Sequence, residues 1–196
     1  MSVTFSPRTA VLIVAVMAVW GCARDSSAPA RTEYSVEEKS LGALQSDLSA
    51  GLVTSQKLVD LYLARIRDLD QSGPALRSVL AVNPRAEDDA RRLDEERAMG
   101  RLRGPLHGIP ILVKDNIETA DPLPTTAGSL ALADNVTGRD APILAKLREA
   151  GVVLLGQANL SEWANFRSTQ ATRRWGAVGG LARHPHAHRR HACGSD

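Results

Sequence analysis

The sequence predicts an α/β fold, and three observations predict it. Two short apolar runs, residues 109–113 and 152–155, have the length and composition of buried strands. Around them lie segments whose apolar residues recur three and four apart, as on one face of a helix. The two kinds of segment alternate along the chain, which favours a sheet that is at least partly parallel.

The chain begins with an address. Arg8 supplies a positive start, and residues 10–20 form an uninterrupted apolar run. That run is shorter than the ~20 residues of a membrane-spanning helix but suits an export signal. Residues 1–22 end in Gly21-Cys22, which resembles the lipobox of bacterial lipoproteins, where the Cys becomes the lipidated first residue. The alternative is cleavage near Ala28-Pro29-Ala30 with Cys22 discarded. Residues 23–33 then form a flexible tether and residues 34–196 the folded part. A disulfide between Cys22 and Cys193 competes with lipidation.

The body is read in order. Ser35-Val36-Glu37-Glu38 is a capping box, expected to open a helix that buries Val36, Leu41, Leu44 and Leu48 and closes at Gly51. From about Ser55, the residues Leu58, Val59, Tyr62, Leu63, Ile66 and Leu69 make one apolar stripe, broken by Asp70-Gln71-Ser72-Gly73-Pro74. Residues 76–82 are a strand candidate. Pro84 starts a charged helix that Gly100 stops, with Glu87/Arg91 and Asp88/Arg92 at ion-pairing spacing and its carboxylates on a solvated face. Asp140 is placed to cap a helix that has Pro142 in its first turn and stops at Gly151. Ser161-Glu162-Trp163-Ala164 begins a further helix.

Composition excludes several classes. With 43% hydrophobic and 23% charged residues, 15 Gly, 10 Pro and 2 Cys among 196, the chain is neither collagen-like, low-complexity nor a disulfide scaffold. A net charge of +2 gives no case for nucleic acid. The charge is uneven: the last 26 residues hold five Arg against Asp196 alone, and four of the five His. His184, His186, His188 and His191, with Cys193, have ligand chemistry for a transition metal, although they fall in a segment that reads more simply as diverged.

Lys114 carries the most chemical information. It directly follows the apolar strand 109–113, and in α/β sheets ligands gather outside the carboxyl ends of strands. A pocket that desolvated it would lower its pKa and leave a neutral amine able to act as a base; otherwise it is a solvated strand-end Lys.

The motifs around Lys114 shift that balance. Gly104-Pro105-Leu106-His107-Gly108-Ile109-Pro110, Val113-Lys114-Asp115-Asn116 and Thr125-Thr126-Ala127-Gly128-Ser129 resemble those of the amidase signature family. So, in the same order, do the segment from Gly151 to Gly156, Asn159-Leu160-Ser161-Glu162-Trp163, Trp175-Gly176-Ala177-Val178-Gly179-Gly180 and Cys193-Gly194-Ser195. Within that family the chain looks most like bacterial peptide amidases, which hydrolyse C-terminal amides of peptides.

The resemblance implies a Ser–cis-Ser–Lys hydrolase acting on a small-molecule or peptide amide, with no cofactor and no metal. Lys114 matches the family's base and Ser195 its bridging Ser. Thr126, Gly128 and Ser129 match residues of the substrate cleft. The family's nucleophile follows about two dozen residues after the bridging Ser, so the resemblance implies that the 196 residues form the N-terminal portion of the family's fold, a mixed β-sheet covered by helices with the sheet incomplete, and no activity of their own is expected. The only membrane contact expected is a lipid anchor at the bacterial cell envelope, and no signal for an oligomeric state is read. The competing reading is a non-catalytic envelope lipoprotein, metal-binding through its His-rich tail. His107 is expected to be structural, Trp163 and Trp175 to pack against the fold, and Asn135-Val136-Thr137 to be an unused glycosylation sequon.

Overall fold

The structure, a computed structural model, describes residues 34–166 and 175–186. The signal, the tether, Cys22, His188, His191, Cys193 and Ser195 lie outside the described residues.

Helix α1 spans Leu41–Ser49, five residues later than the capping box suggested. Ser35 accepts only the Glu37 N–H, in a local turn, and Ser40 is the cap, its hydroxyl accepting the Ala43 N–H at 3.2 Å. The helix stops as expected, the Leu52 and Gly51 N–H groups donating to the Asp47 and Leu48 carbonyls in a Schellman motif. Helix α2, Ser55–Arg65, buries Leu58 and Val59 completely. Thr54 caps it, and the Asp94 carboxylate accepts the Ser55 and Gln56 N–H groups at 2.8 and 2.9 Å, a negative charge at a helix start. That carboxylate was expected on a solvated face.

Past Arg65 the chain widens into a π-helical turn, Ile66–Gln71. The extra residue per turn rotates Leu69 out of the apolar stripe into solvent and brings Asp70 inside. Asp70 then accepts the Ser78 and Val79 N–H groups at 2.6 and 3.1 Å and the Ser78 hydroxyl, and strand β1 starts there, Val79–Val82. The strand is shorter than residues 76–82 because Ala75 and Arg77 hold positive φ.

Helix α3, Ala86–Ala98, pairs Asp88 with Arg91 and Asp89 with Arg92, three residues apart rather than the four expected. Strand β2 is Pro110–Lys114, helix α4 Pro142–Glu149 and strand β3 Val153–Ala158. The α4 cap position is Ala141; Asp140 instead accepts from the Ala120 N–H and the Arg148 guanidinium. Residues Glu162–Asn165 form a single tight turn rather than a new helix, because Trp163 and Ala164 take left-handed φ values of 52° and 50°. A short hairpin pairs β4, Trp175–Gly176, with β5, Gly180–Leu181.

The main sheet has the order β1-β3-β2, with β1 antiparallel and β2 parallel to the central β3. β3 is buried on both faces, which is why it reads as a continuous apolar run. Val153 and Leu155 pack on α2 and α3 with Val59, Ala90 and Leu93, while Leu154 packs on the other side with Leu144 of α4, Val113 and Leu123. Each fully buried Leu contributes about 1.5–3 kcal/mol. Gly156 is required here: a Cβ would lie 2.2 Å from the Ala81 carbonyl oxygen of β1. β2 is less buried than its sequence suggested, with Leu112 40% exposed, because it lies at the edge of the sheet among the described residues.

Candidate active site

Lys114 ends β2 at the carboxyl end of the parallel pair, in register with Ala158 of β3. It is half-buried, and its ammonium has no ion-pair partner among the described residues. Three loops gather at this end: residues 115–129, 159–166 and 176–180.

Asp115, the next residue, ties the first loop down. It is fully buried, and its carboxylate accepts the Thr126 N–H at 2.9 Å, the Gly128 N–H at 3.3 Å and the Thr126 hydroxyl. Its own carbonyl accepts the Ala127 N–H at 2.9 Å. Burial pushes the Asp115 carboxyl up from the ordinary carboxylate range, and the hydrogen bonds from Thr126 and Gly128 oppose that rise.

The clamped loop holds the other two. Ala127 accepts the Trp163 N–H at 2.8 Å and Gly128 the Val178 N–H at 3.3 Å. Gly128 has φ +75°, and a Cβ there would come within 3.0 Å of the Glu162 Cα, so the close approach needs glycine. Asn159 joins the third segment, its side-chain N–H₂ donating to the Arg77 and Gly179 carbonyls at 2.8 and 3.2 Å.

Several buried polar atoms here have no partner among the described residues: both amide atoms of Gln157, Oδ1 of Asn159, and the hydroxyls of Thr125 and Ser161. Next to the first loop a cavity of about 500 Å³ is lined by Asn116, Thr125, Ala127, Leu132 and Trp163. Trp163 is 37% exposed and contributes a wall, with Phe166 edge-on at 6.5 Å; Trp175 is more exposed still.

Of the residues singled out from sequence, Lys114, Thr126, Gly128 and Ser129 are all at this end. Thr126 and Ser129 are buried, and the Thr126 hydroxyl donates to Asp115. Asp115, Gln157 and Asn159 were given no role. The available signal was Gln157, a polar residue continuing an otherwise apolar strand. His107 is structural: it is buried, its Nδ1 accepts the Arg103 N–H at 3.2 Å, and its Nε2 donates to the Leu93 carbonyl at 2.8 Å. Asn135 also holds a loop, its side chain donating to the Thr125 carbonyl at 2.9 Å. His184 and His186 stand 6.0 Å apart, and among the described residues no three metal-ligating side chains cluster. Among those residues no helix is long and apolar enough to cross a membrane.

Comparison with known proteins points one way. The family model described as Amidase matches residues 57–196. A putative amidase of Schizosaccharomyces pombe is 43% identical over 157 residues, covering 80% of this chain and 26% of the relative. The structure of native peptide amidase from Stenotrophomonas maltophilia superposes with a TM-score of 0.74 at 49% identity, over 78% of this chain and 31% of that one. A peptide amidase in complex with the competitive inhibitor chymostatin gives 0.74 at 48% identity, again over 78% and 31%. The chain thus spans about a quarter to a third of the length of these proteins.

Proposed function

The chain belongs to the amidase family, and we propose that it furnishes the base-bearing part of an amide hydrolase that acts on small-molecule or peptide amides. The observation that carries this reading is Lys114: a half-buried amine without an ionic partner among the described residues, at the end of the sheet where three clamped loops meet.

In this reading a Ser hydroxyl outside these 196 residues attacks the amide carbonyl. Its proton passes through the hydroxyl of Ser195 to Nζ of Lys114, and returns to the leaving nitrogen as the C–N bond breaks. Water then releases the acid by the same relay. Asp115 touches none of the reacting atoms; it positions the loop beside the base. The apolar run of residues 10–20 and Cys22 support export and lipid anchoring at a bacterial envelope. Radiolabelled palmitate incorporated by the wild type but not by Cys22→Ala is the expected result, and equal labelling of both removes the anchor.

The reading is tested by joining residues 34–196 to the remaining part of the Stenotrophomonas peptide amidase and measuring ammonia from a peptide C-terminal amide. Turnover is expected, falling by about 10²–10⁴-fold in Lys114→Ala. A folded chimera that works equally well without Lys114 refutes it.

A further inference from the structure

The Gly104–Ile109 turn, which the proposed chemistry does not use, borders a second cavity. It measures about 410 Å³ and lies between α1, the end of α3 and the loop leading into β2, at the opposite end of that strand from Lys114. Its lining includes Gln45, Leu48, Arg97, Leu102, Pro105 and His107.

Arg97 is the unusual member. One guanidinium nitrogen, Nη2, donates to the His107 carbonyl at 2.7 Å, while Nε is buried with no partner among the described residues. No carboxylate pairs with it among the described residues, and the nearby acids are committed elsewhere. Asp94 holds the start of α2, and Glu96 takes Arg103 at 2.7 Å. Every other polar contact around the cavity is internal: Gln45 donates to the Pro105 carbonyl and Ser49 to the Gln45 carbonyl. The result is a half-buried guanidinium on the lining of a space whose apolar walls are Leu48, Leu102 and Pro105 and whose other polar walls, Gln45, Ser49 and His107, are bonded within the protein. A guanidinium in that setting is satisfied by a carboxylate, and the apolar walls suit a short aliphatic group attached to it.

We propose that this cavity is a binding site for a small aliphatic carboxylate, with Arg97 as its anion-recognising residue. A neutral amide of the same shape brings no charge and is rejected. Amide hydrolysis turns such an amide into such a carboxylate, so the site would respond to product and not to substrate. That consequence, unlike the site itself, rests on the amidase reading.

The probe pair is isobutyrate and isobutyramide, followed by amide chemical shifts of the full chain. Isobutyrate is expected to shift Gly104 and His107 saturably with a Kd on the order of 1–10 mM, and isobutyramide to leave them still. Arg97→Gln should weaken isobutyrate about tenfold or more, since the charge-assisted contact is lost. Leu102→Glu, at a position 58% exposed and so tolerant of change, sets a competing carboxylate at the mouth and should weaken it similarly. If Arg97→Gln does not fold, Leu102→Glu decides alone. Absence of saturation, equal response to the amide, or binding that survives the substitutions overturns the proposal. Any of these outcomes leaves the Lys114 chimera assay untouched, so the two readings fail separately.

Discussion

Arg148 and Gln157 are both polar side chains carried into the interior, and they are treated oppositely. Arg148, on α4, donates to Asp121 and, at 2.8 Å, to Asp140, and lies 3.9 Å from Asp89 of α3, so the loop before α4 and two helices meet on one guanidinium. Gln157, on the central strand one residue before the register partner of Lys114, is completely buried with neither amide atom bonded among the described residues. The difference extends to the neighbourhoods. Around Arg148, between α4 and the first turn of α3, charges pair and backbone angles are ordinary. At the carboxyl end of the sheet, unpaired Thr125, Asn159 and Ser161 atoms stand beside left-handed Ala127, Trp163 and Ala164. Conflicts with local rules concentrate where a protein works rather than where it merely holds together.

The contrast can be broken by substitution, most strongly on the matched side. Arg148→Ala leaves the buried Asp121 carboxylate without its main partner and should cost roughly 2–4 kcal/mol, read by urea denaturation. A loss under about 0.5 kcal/mol would place the network with ordinary surface pairs. Asp115→Asn turns one acceptor oxygen into a donor facing the Gly128 N–H, and should cost about 2–3 kcal/mol in the same assay. Gln157→Leu is the informative reversal. It removes two unbonded buried atoms and should stabilise by about 1–2 kcal/mol. A destabilisation of that size would mean that the amide is satisfied in solution and that the contrast is false. Asp88→Ala removes an exposed pair and should change stability by less than about 0.5 kcal/mol.

Acid titration separates the same two regions by sign. Asp115 has a raised carboxyl pKa in the fold, so the native state binds its proton more readily than the unfolded chain. Its contribution therefore improves as pH falls through the folded value and worsens as pH rises. Glu96 and Glu118 are held low by hydrogen bonds from Arg103 and Arg139, so they favour the fold above the unfolded carboxylate pKa and lose that contribution as pH falls. Stability measured across the mildly acidic range should become steeper with pH in Asp115→Asn, where only the second kind of group remains. An unchanged slope would contradict the assignment.

Much of the fold was legible because it is written in periodicity. The stripe Leu58–Val59–Tyr62–Ile66, the strand ahead of Lys114 and the twice-buried β3 all follow from spacing and apolar content. What failed was written in partners distant along the chain. Ser35 has the better capping sequence, yet Ser40 caps α1, because a turn bonding the Lys39 N–H to the Val36 carbonyl comes first. Asp140 sits where a cap belongs, but Arg148 claims it. Trp163 follows helical residues, but its N–H is taken by Ala127. The site divided in the same way. The strand-end position of Lys114 follows from the apolar run before it, while its reading as a base comes from the motifs around it; the bonds of Asp115 depend on Thr126 and Gly128, which no periodicity connects to it.

The central claim is that chemistry belongs to the Lys114 end while the Arg148 end supplies only stability. Ammonia release and melting temperature, measured side by side in the peptide-amidase chimera for Lys114→Ala and Arg148→Ala, test it most directly. The account predicts a loss of about 10²–10⁴-fold in turnover with little change in melting for Lys114→Ala. For Arg148→Ala it predicts a lowered melting temperature with turnover retained below it. Full turnover in folded Lys114→Ala would contradict it.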